Sequence, residues 1–260
     1  MATPAPVRSG LRMTGPEVPA ATYAHPPLVE CWLETSAATD CEWTGVNVGS
    51  LCAMLGPEWP QGRAQTSATG EWRLTNVMSD RALRLTTHGF AFGWLGHGGE
   101  RYPRYESVRD GFVAVLDAVR TLAQPAGKSF VPQTWSVRYV NRIPRGTAWS
   151  TVGEWKFFSL WQSQPLKRLA IDPTGFQARW DLSLEAERGH LTILFRHDSA
   201  SSADETESVW IELTASSTVD ESEMSLFDGL DHGREVIVRA FNEVVSLDAK
   251  TYWGVAVPLR

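Results

Sequence analysis

The stretch 135-WSVRYVNRIP-144 alternates along its length. Trp135, Val137, Tyr139 and Ile143 fall on one side with Asn141 among them, while Ser136, Arg138 and Arg142 fall on the other. A period of two with one apolar side is the pattern of a half-buried β-strand. Arginines on such a strand need partners wherever water is scarce, because an unpaired buried charge is costly. Glu30, Glu34 and Asp181 are the carboxylates that other predicted strands supply. Pairing with one of them is the structural and preferred reading. The functional reading makes Arg138 and Arg142 a basic strip for the carboxylate or phosphate of a ligand, or for an acidic peptide.

Upstream of this strand, 105-YESVRDGFVAVLDAVRTLA-123 places Val108, Phe112, Val115, Leu116, Val119 and Leu122 at helical spacing. Gln124-Pro125 and Gly127 end that helix. Residues 71–94, EWRLTNVMSDRALRLTTHGFAFGW, read as two strands around a Ser79-Asp80 turn. The second carries Phe90, Phe92 and Trp94 on one face and Gly89, Ala91 and Gly93 on the other. A face that bare admits a close neighbour, and the helix that follows is the expected one. Earlier still, 45-GVNVGSLCAMLG-56 predicts a short helix closed by Gly56 and Pro57. The first strand opens at Leu28, after Pro26-Pro27.

Downstream, Asp172-Pro173-Thr174-Gly175 makes a turn. Phe176, Ala178, Trp180, Leu182 and Leu184 then alternate with Gln177, Arg179, Asp181 and Ser183, giving a strand with one dry and one wet face. Segments 190-HLTILFRHDS-199 and 208-SVWIELTAS-216 are further strands. Asp220 with Glu223 three residues on caps the last helix, whose buried side carries Leu230, Ile237, Phe241 and Val244. The tail 251-TYWGVAVPLR-260 reads as an edge strand or a mobile end.

These elements predict an α+β fold in which antiparallel sheet packs against two long helices. Residues 1–22, rich in Pro, Ala and Gly, form a flexible lead-in, with docking expected only near Tyr23. Residues 23–146 and 147–260 form two halves of one globular unit, sharing a loose plan without a residue-level repeat.

The 260 residues suffice for a substantial core. A net charge of −6 with no basic block argues against nucleic acid. No apolar run approaches the roughly 20 residues of a membrane span, and the start lacks a secretory leader. Cys31, Cys41 and Cys52 fit neither a disulfide framework nor a zinc or redox spacing, which suits a reducing cytoplasm. Twelve tryptophans is an unusual number; most should pack inside, and a few should be left for a surface or cleft.

The Pro-Pro-x-x-Glu opening of the first strand (PPLVE) and the Arg-Tyr-x-Asn-Arg-Ile strand (within VRYVNRI) resemble a sporadically distributed bacterial family of about this size. So do the Tyr-rich start of the long helix and the last helix with Phe241. The family is functionally uncharacterised, so the resemblance assigns no catalytic or cofactor residue. Its sporadic occurrence implies accessory genes, as in defence or specialised-metabolite clusters.

No phosphate-binding loop, nucleophile elbow, zinc-protease helix or dinucleotide fingerprint is present, and the six histidines are scattered. The most site-like loop is 94-WLGHGGERYPRY-105, where glycines surround His97 beside Glu100, Arg101, Tyr102 and Tyr105. It reads first as a connection and second as a lip over a pocket floored by Phe90, Phe92 and Trp94. The binding residues expected are Phe92, Trp94, His97, Tyr102, Arg138, Asn141 and Arg142, with no catalytic residue, metal or cofactor. The sequence thus points to a non-catalytic binding or scaffold protein for a peptide or protein partner, by strand addition where an edge is open, and to a homodimer joined through sheet edges. The alternative is a cofactor-independent small-molecule enzyme or ligand carrier, with His97, Tyr102, Arg138 and Asn141 converging in an apolar pocket between sheet and helix.

Overall fold

A computed structural model describes residues 23–38, 41–96, 101–123, 129–150, 175–184, 189–199, 206–219 and 223–254. The lead-in 1–22, His97, Glu100, the Gln124–Gly127 terminator, most of the Asp172–Gly175 turn, the Asp220 cap and the last residues of the tail lie outside them.

In chain order the elements are β1 (Leu28–Ala37), α1 (Gly45–Leu55), β2 (Gln65–Thr66), β3 (Trp72–Thr75), β4 (Arg81–Thr86), β5 (Gly89–Leu95), α2 (Tyr105–Ala123), β6 (Pro132–Pro144), β7 (Gln177–Ser183), β8 (His190–Asp198), β9 (Ser208–Thr218), α3 (Glu223–Val244) and α4 (Leu247–Tyr252). All nine described strands join one sheet in the order β2-β3-β4-β5-β1-β6-β9-β8-β7. Every neighbouring pair is antiparallel. The fold is therefore α+β, with β6 near the centre between β1 and β9.

The parity of β6 fixes the two faces. On the inner face run Trp135, Val137, Tyr139, Asn141 and Ile143, in one core with Cys31 and Leu33 of β1, Phe90, Phe92 and Trp94 of β5 and Ile211 and Leu213 of β9. The helices close this face. Phe112 of α2 lies 5.0 Å from Phe90 between ring centroids, and Gly111 leaves room for the Phe92 ring, which a β-carbon there would meet at 2.4 Å. On α3, Gly229 and Gly233 form a notch that takes the Trp135 indole. Helix α1 starts where Thr44 Oγ1 accepts the Asn47 N–H, and stops at Gly56, whose φ of 103° suits a residue without a side chain.

Three details depart from the sequence reading. Residues 71–94 hold three strands rather than two, because the Thr87-His88 turn folds the second stretch back on itself. The bare face of β5 is approached by an indole, not by a helix: Trp32 of β1 lies over Gly93, where a β-carbon would come within 2.4 Å of the ring. Within the tail, Thr251 and Tyr252 finish α4, which Ser246 caps by accepting the Ala249 N–H. Tyr23 docks there, its ring 6.0 Å from both Phe241 and Trp253 and its hydroxyl donating to Asn242 Oδ1. No described helix is long and apolar enough to cross a membrane.

Candidate binding surface

The outer face of the sheet carries a different chemistry, and none of the described helices packs on it. Two tryptophans stand there, each beneath two arginines. Trp32 neighbours Arg138 across the β1–β6 pair. The guanidinium of Arg138 sits 5.7 Å from its ring and that of Arg84 sits 4.7 Å away. Trp210 stands directly between Arg142 on β6 and Arg196 on β8, whose guanidiniums lie 5.7 and 5.8 Å from its ring. A cation over an indole face is attracted by the ring quadrupole, worth about 0.5–1 kcal/mol when exposed.

The two stations differ in how their charges are balanced. At Trp32, Glu30 accepts from the indole N–H at 2.6 Å. Arg138 lies 3.4 Å from Glu30 and 3.6 Å from Glu212, and Arg84 lies 3.6 Å from Glu34. Burial, and then the nearby Arg138, pull the Arg84 pKa below its ordinary value. At Trp210, Arg196 pairs with Asp198 at 2.9 Å. Arg142 instead donates to Ser208 Oγ at 3.1 Å and to the Thr206 carbonyl at 3.5 Å, and has no carboxylate partner among the described residues. Among the described residues its charge is held on the indole without a carboxylate, which suits an incoming one.

The opposite side of the sheet buries a cluster of titratable groups. Trp94 packs on Tyr102 at 5.2 Å. The Tyr102 and Tyr139 hydroxyls share a hydrogen bond of 3.1 Å, and Tyr102 donates to Cys31 Sγ at 3.7 Å. Burial pushes the Cys31 thiol up to about 12, against the opposing pull of its hydrogen bonds from Tyr102 and Tyr139. Burial also holds Tyr102 and Tyr139 well above the ordinary phenol range, helped by the neighbouring thiol. Tyr105 is raised by burial and then by Asp231, to which it donates at 2.9 Å. Groups held protonated in this way make a packed polar seam, not a nucleophile.

The seam has a consequence for stability. In the unfolded chain the thiol ionises near its ordinary 9.0, whereas folded it stays protonated up to about 12. Stability is complete below the unfolded value and is lost as pH rises toward the folded one, by up to ~1.4 kcal/mol per pH unit for each such group. The urea midpoint should therefore hold up to about pH 8.5 and fall steeply between about pH 9 and pH 12, and less steeply in Cys31→Ala. A midpoint constant from about pH 9 to pH 12 would contradict the assignment.

The residues singled out from sequence are divided by the sheet. Phe92, Trp94, Tyr102 and Asn141 lie on the inner side, with Phe92, Trp94 and Asn141 buried. Asn141 donates to the Ile211 carbonyl at 3.3 Å. Arg138 and Arg142 lie on the outer side, and His97 lies outside the described residues. Tyr102, Asn141 and Arg138 thus do not converge on one pocket. Trp94 is part of the core rather than a contact surface. Sequence reasoning missed Trp32, Arg84, Trp210 and Arg196. The available signal was parity: Trp210 sits among Val209, Ile211 and Leu213 on the side that alternation assigns to solvent. No protein-family model matches the chain, and no curated protein matches it, so the geometry alone carries the functional reading.

Proposed function

We propose that the protein is a non-catalytic binding or scaffold protein that recognises a peptide or protein partner on the outer face of its sheet. The observation behind this reading is the Trp210 station, an indole flanked on adjacent strands by Arg142 and Arg196 with the Arg142 charge unpaired among the described residues. Trp and Arg are the residue types enriched where binding energy concentrates. A carboxylate of the partner meets Arg142, and an apolar or aromatic side chain lies against Trp210. Trp32 is buried in a small outer-face cluster with Ala82 and Ala91, and the charges around it are already balanced, so it supports the face rather than meeting the partner. The strand order favours two similar sets divided before β6 rather than after residue 146, since β1 and β6 lie side by side with β5-β4-β3 outside one and β9-β8-β7 outside the other.

Selection of a displayed random peptide library on the full chain tests this. Recovered peptides should carry carboxylates and should lose about tenfold or more in affinity on Arg142→Ala, since a charge-assisted hydrogen bond contributes roughly 1.5–3 kcal/mol. The melting temperature of that variant should be unchanged. Failure to enrich any peptide, or binders indifferent to both Arg142→Ala and Trp210→Ala, would overturn the reading.

A further inference from the structure

The two ends of the sheet are unlike. At one end β2 is only two residues long, a short edge of the kind that resists pairing. At the other end β7 offers seven residues in unbroken register with β8. The His197 N–H donates to the Phe176 carbonyl, and the Leu184 N–H to the Gly189 carbonyl. In an antiparallel ladder, hydrogen-bonded pairs recur at every second residue. Even-numbered residues of β7 therefore bond to β8, and the N–H and C=O groups of Gln177, Arg179, Asp181 and Ser183 point to the edge along which no other described strand pairs. All four residues are exposed. Their side chains lie on the outer face, while Ala178, Trp180 and Leu182 lie on the inner, where Leu182 is left 45% exposed.

We propose that two copies of this chain join edge to edge through β7, antiparallel about a two-fold axis at Trp180, so that one sheet runs through both. In this register Arg179 stands opposite the partner's Asp181, and Asp181 opposite the partner's Arg179. Gln177 faces the partner's Ser183, and each of these pairs exchanges two backbone hydrogen bonds. On the inner face Trp180 meets its own copy, and the exposed Leu182 is covered by the partner's Ala178. The charges select the register. A shift that moves the axis to residue 179 sets Arg179 against itself, and one that moves it to 181 sets Asp181 against itself, both like-charge pairs that destabilise a ladder. Within one copy Arg179 and Asp181 lie 2.8 Å apart and about 60% exposed, with Thr192 also donating to Asp181, so the cross-dimer pairs extend an ion pair already at the surface. The proposal does not rest on the Trp210 station, although Gln177 lies beside Arg196 of that station.

Sedimentation of the full chain from 1 to 200 µM should show a reversible monomer–dimer equilibrium, with a dissociation constant of about 1–100 µM, the weak end for specific interfaces. Arg179→Asp and Asp181→Arg each place like charges opposite one another, and each alone should weaken dimerisation at least tenfold. Mixed in equal amounts, the two variants restore opposite charges at every pair and should form a one-to-one heterodimer. Both positions are exposed, and circular dichroism should show an unchanged fold. A chain monomeric throughout overturns the proposal, even if its edge binds an unrelated peptide. A dimer that ignores both reversals, or weakened variants that fail to pair when mixed, overturn it as well.

Discussion

Trp94→Ala should lower the stability of the protein by about 3–5 kcal/mol, the usual range for removing a large buried aromatic. The indole is 1% exposed and packs on Tyr102. It stands in the inner row between Arg81 and Cys31. Gly96 accommodates it, because a β-carbon there would lie 2.2 Å from the ring. No neighbour of that size can collapse into the space without disturbing the Tyr102–Tyr139 hydrogen bond. Domains of this kind are stable by about 5–15 kcal/mol in all, so the urea midpoint should move far. The same substitution at Trp210, which packs on the open face, should cost under ~1 kcal/mol. Equal losses at the two positions would contradict the division into a packed inner face and an exposed outer one.

The second large effect concerns sign. Gly→Ala on a helix surface ordinarily gains about 1 kcal/mol from helix propensity. On α3 it should do the reverse. A β-carbon at Gly229 would lie 2.4 Å from the Trp135 ring and one at Gly233 would lie 2.7 Å from it. The ring belongs to the central strand and is 4% exposed, so it cannot swing aside, and α3 must lift instead. Overpacking at the upper end of its range, about 3 kcal/mol, outweighs the propensity gain and leaves a net loss of roughly 2 kcal/mol per site. Gly62, with nothing within 4 Å of an added β-carbon, serves as the control and should tolerate Ala. Chemical denaturation of the three variants decides the matter, and a stabilised Gly229→Ala would show that the notch is not filled by Trp135.

Local chemistry was legible in the sequence, and pairing across the sheet was not. The alternation of 135–144 places β6 and its two faces correctly, and the stripe Val108, Phe112, Val115 gives α2 because a period near 3.6 is written within one segment. The Thr87-His88 turn escaped notice because apolar alternation resumes at once after it. What approaches Gly93 depends on β1 lying beside β5, a register that no local pattern records. The partners of Arg138 illustrate the same limit. Glu30 was among the carboxylates considered, whereas Glu212 reaches it only because β9 pairs with β6. Arg142 was read as needing a carboxylate, and the same pairing gives it Trp210 and Ser208 instead.

Indole N–H resonances of the full chain, followed while a selected carboxylate-bearing peptide is titrated in, test the outer-face reading most directly. The signal of Trp210 should shift, while those of the buried Trp59, Trp94 and Trp135 stay in place. Shifts confined to the core indoles, with Trp210 unmoved, would put the binding site on the wrong side of the sheet and contradict the account.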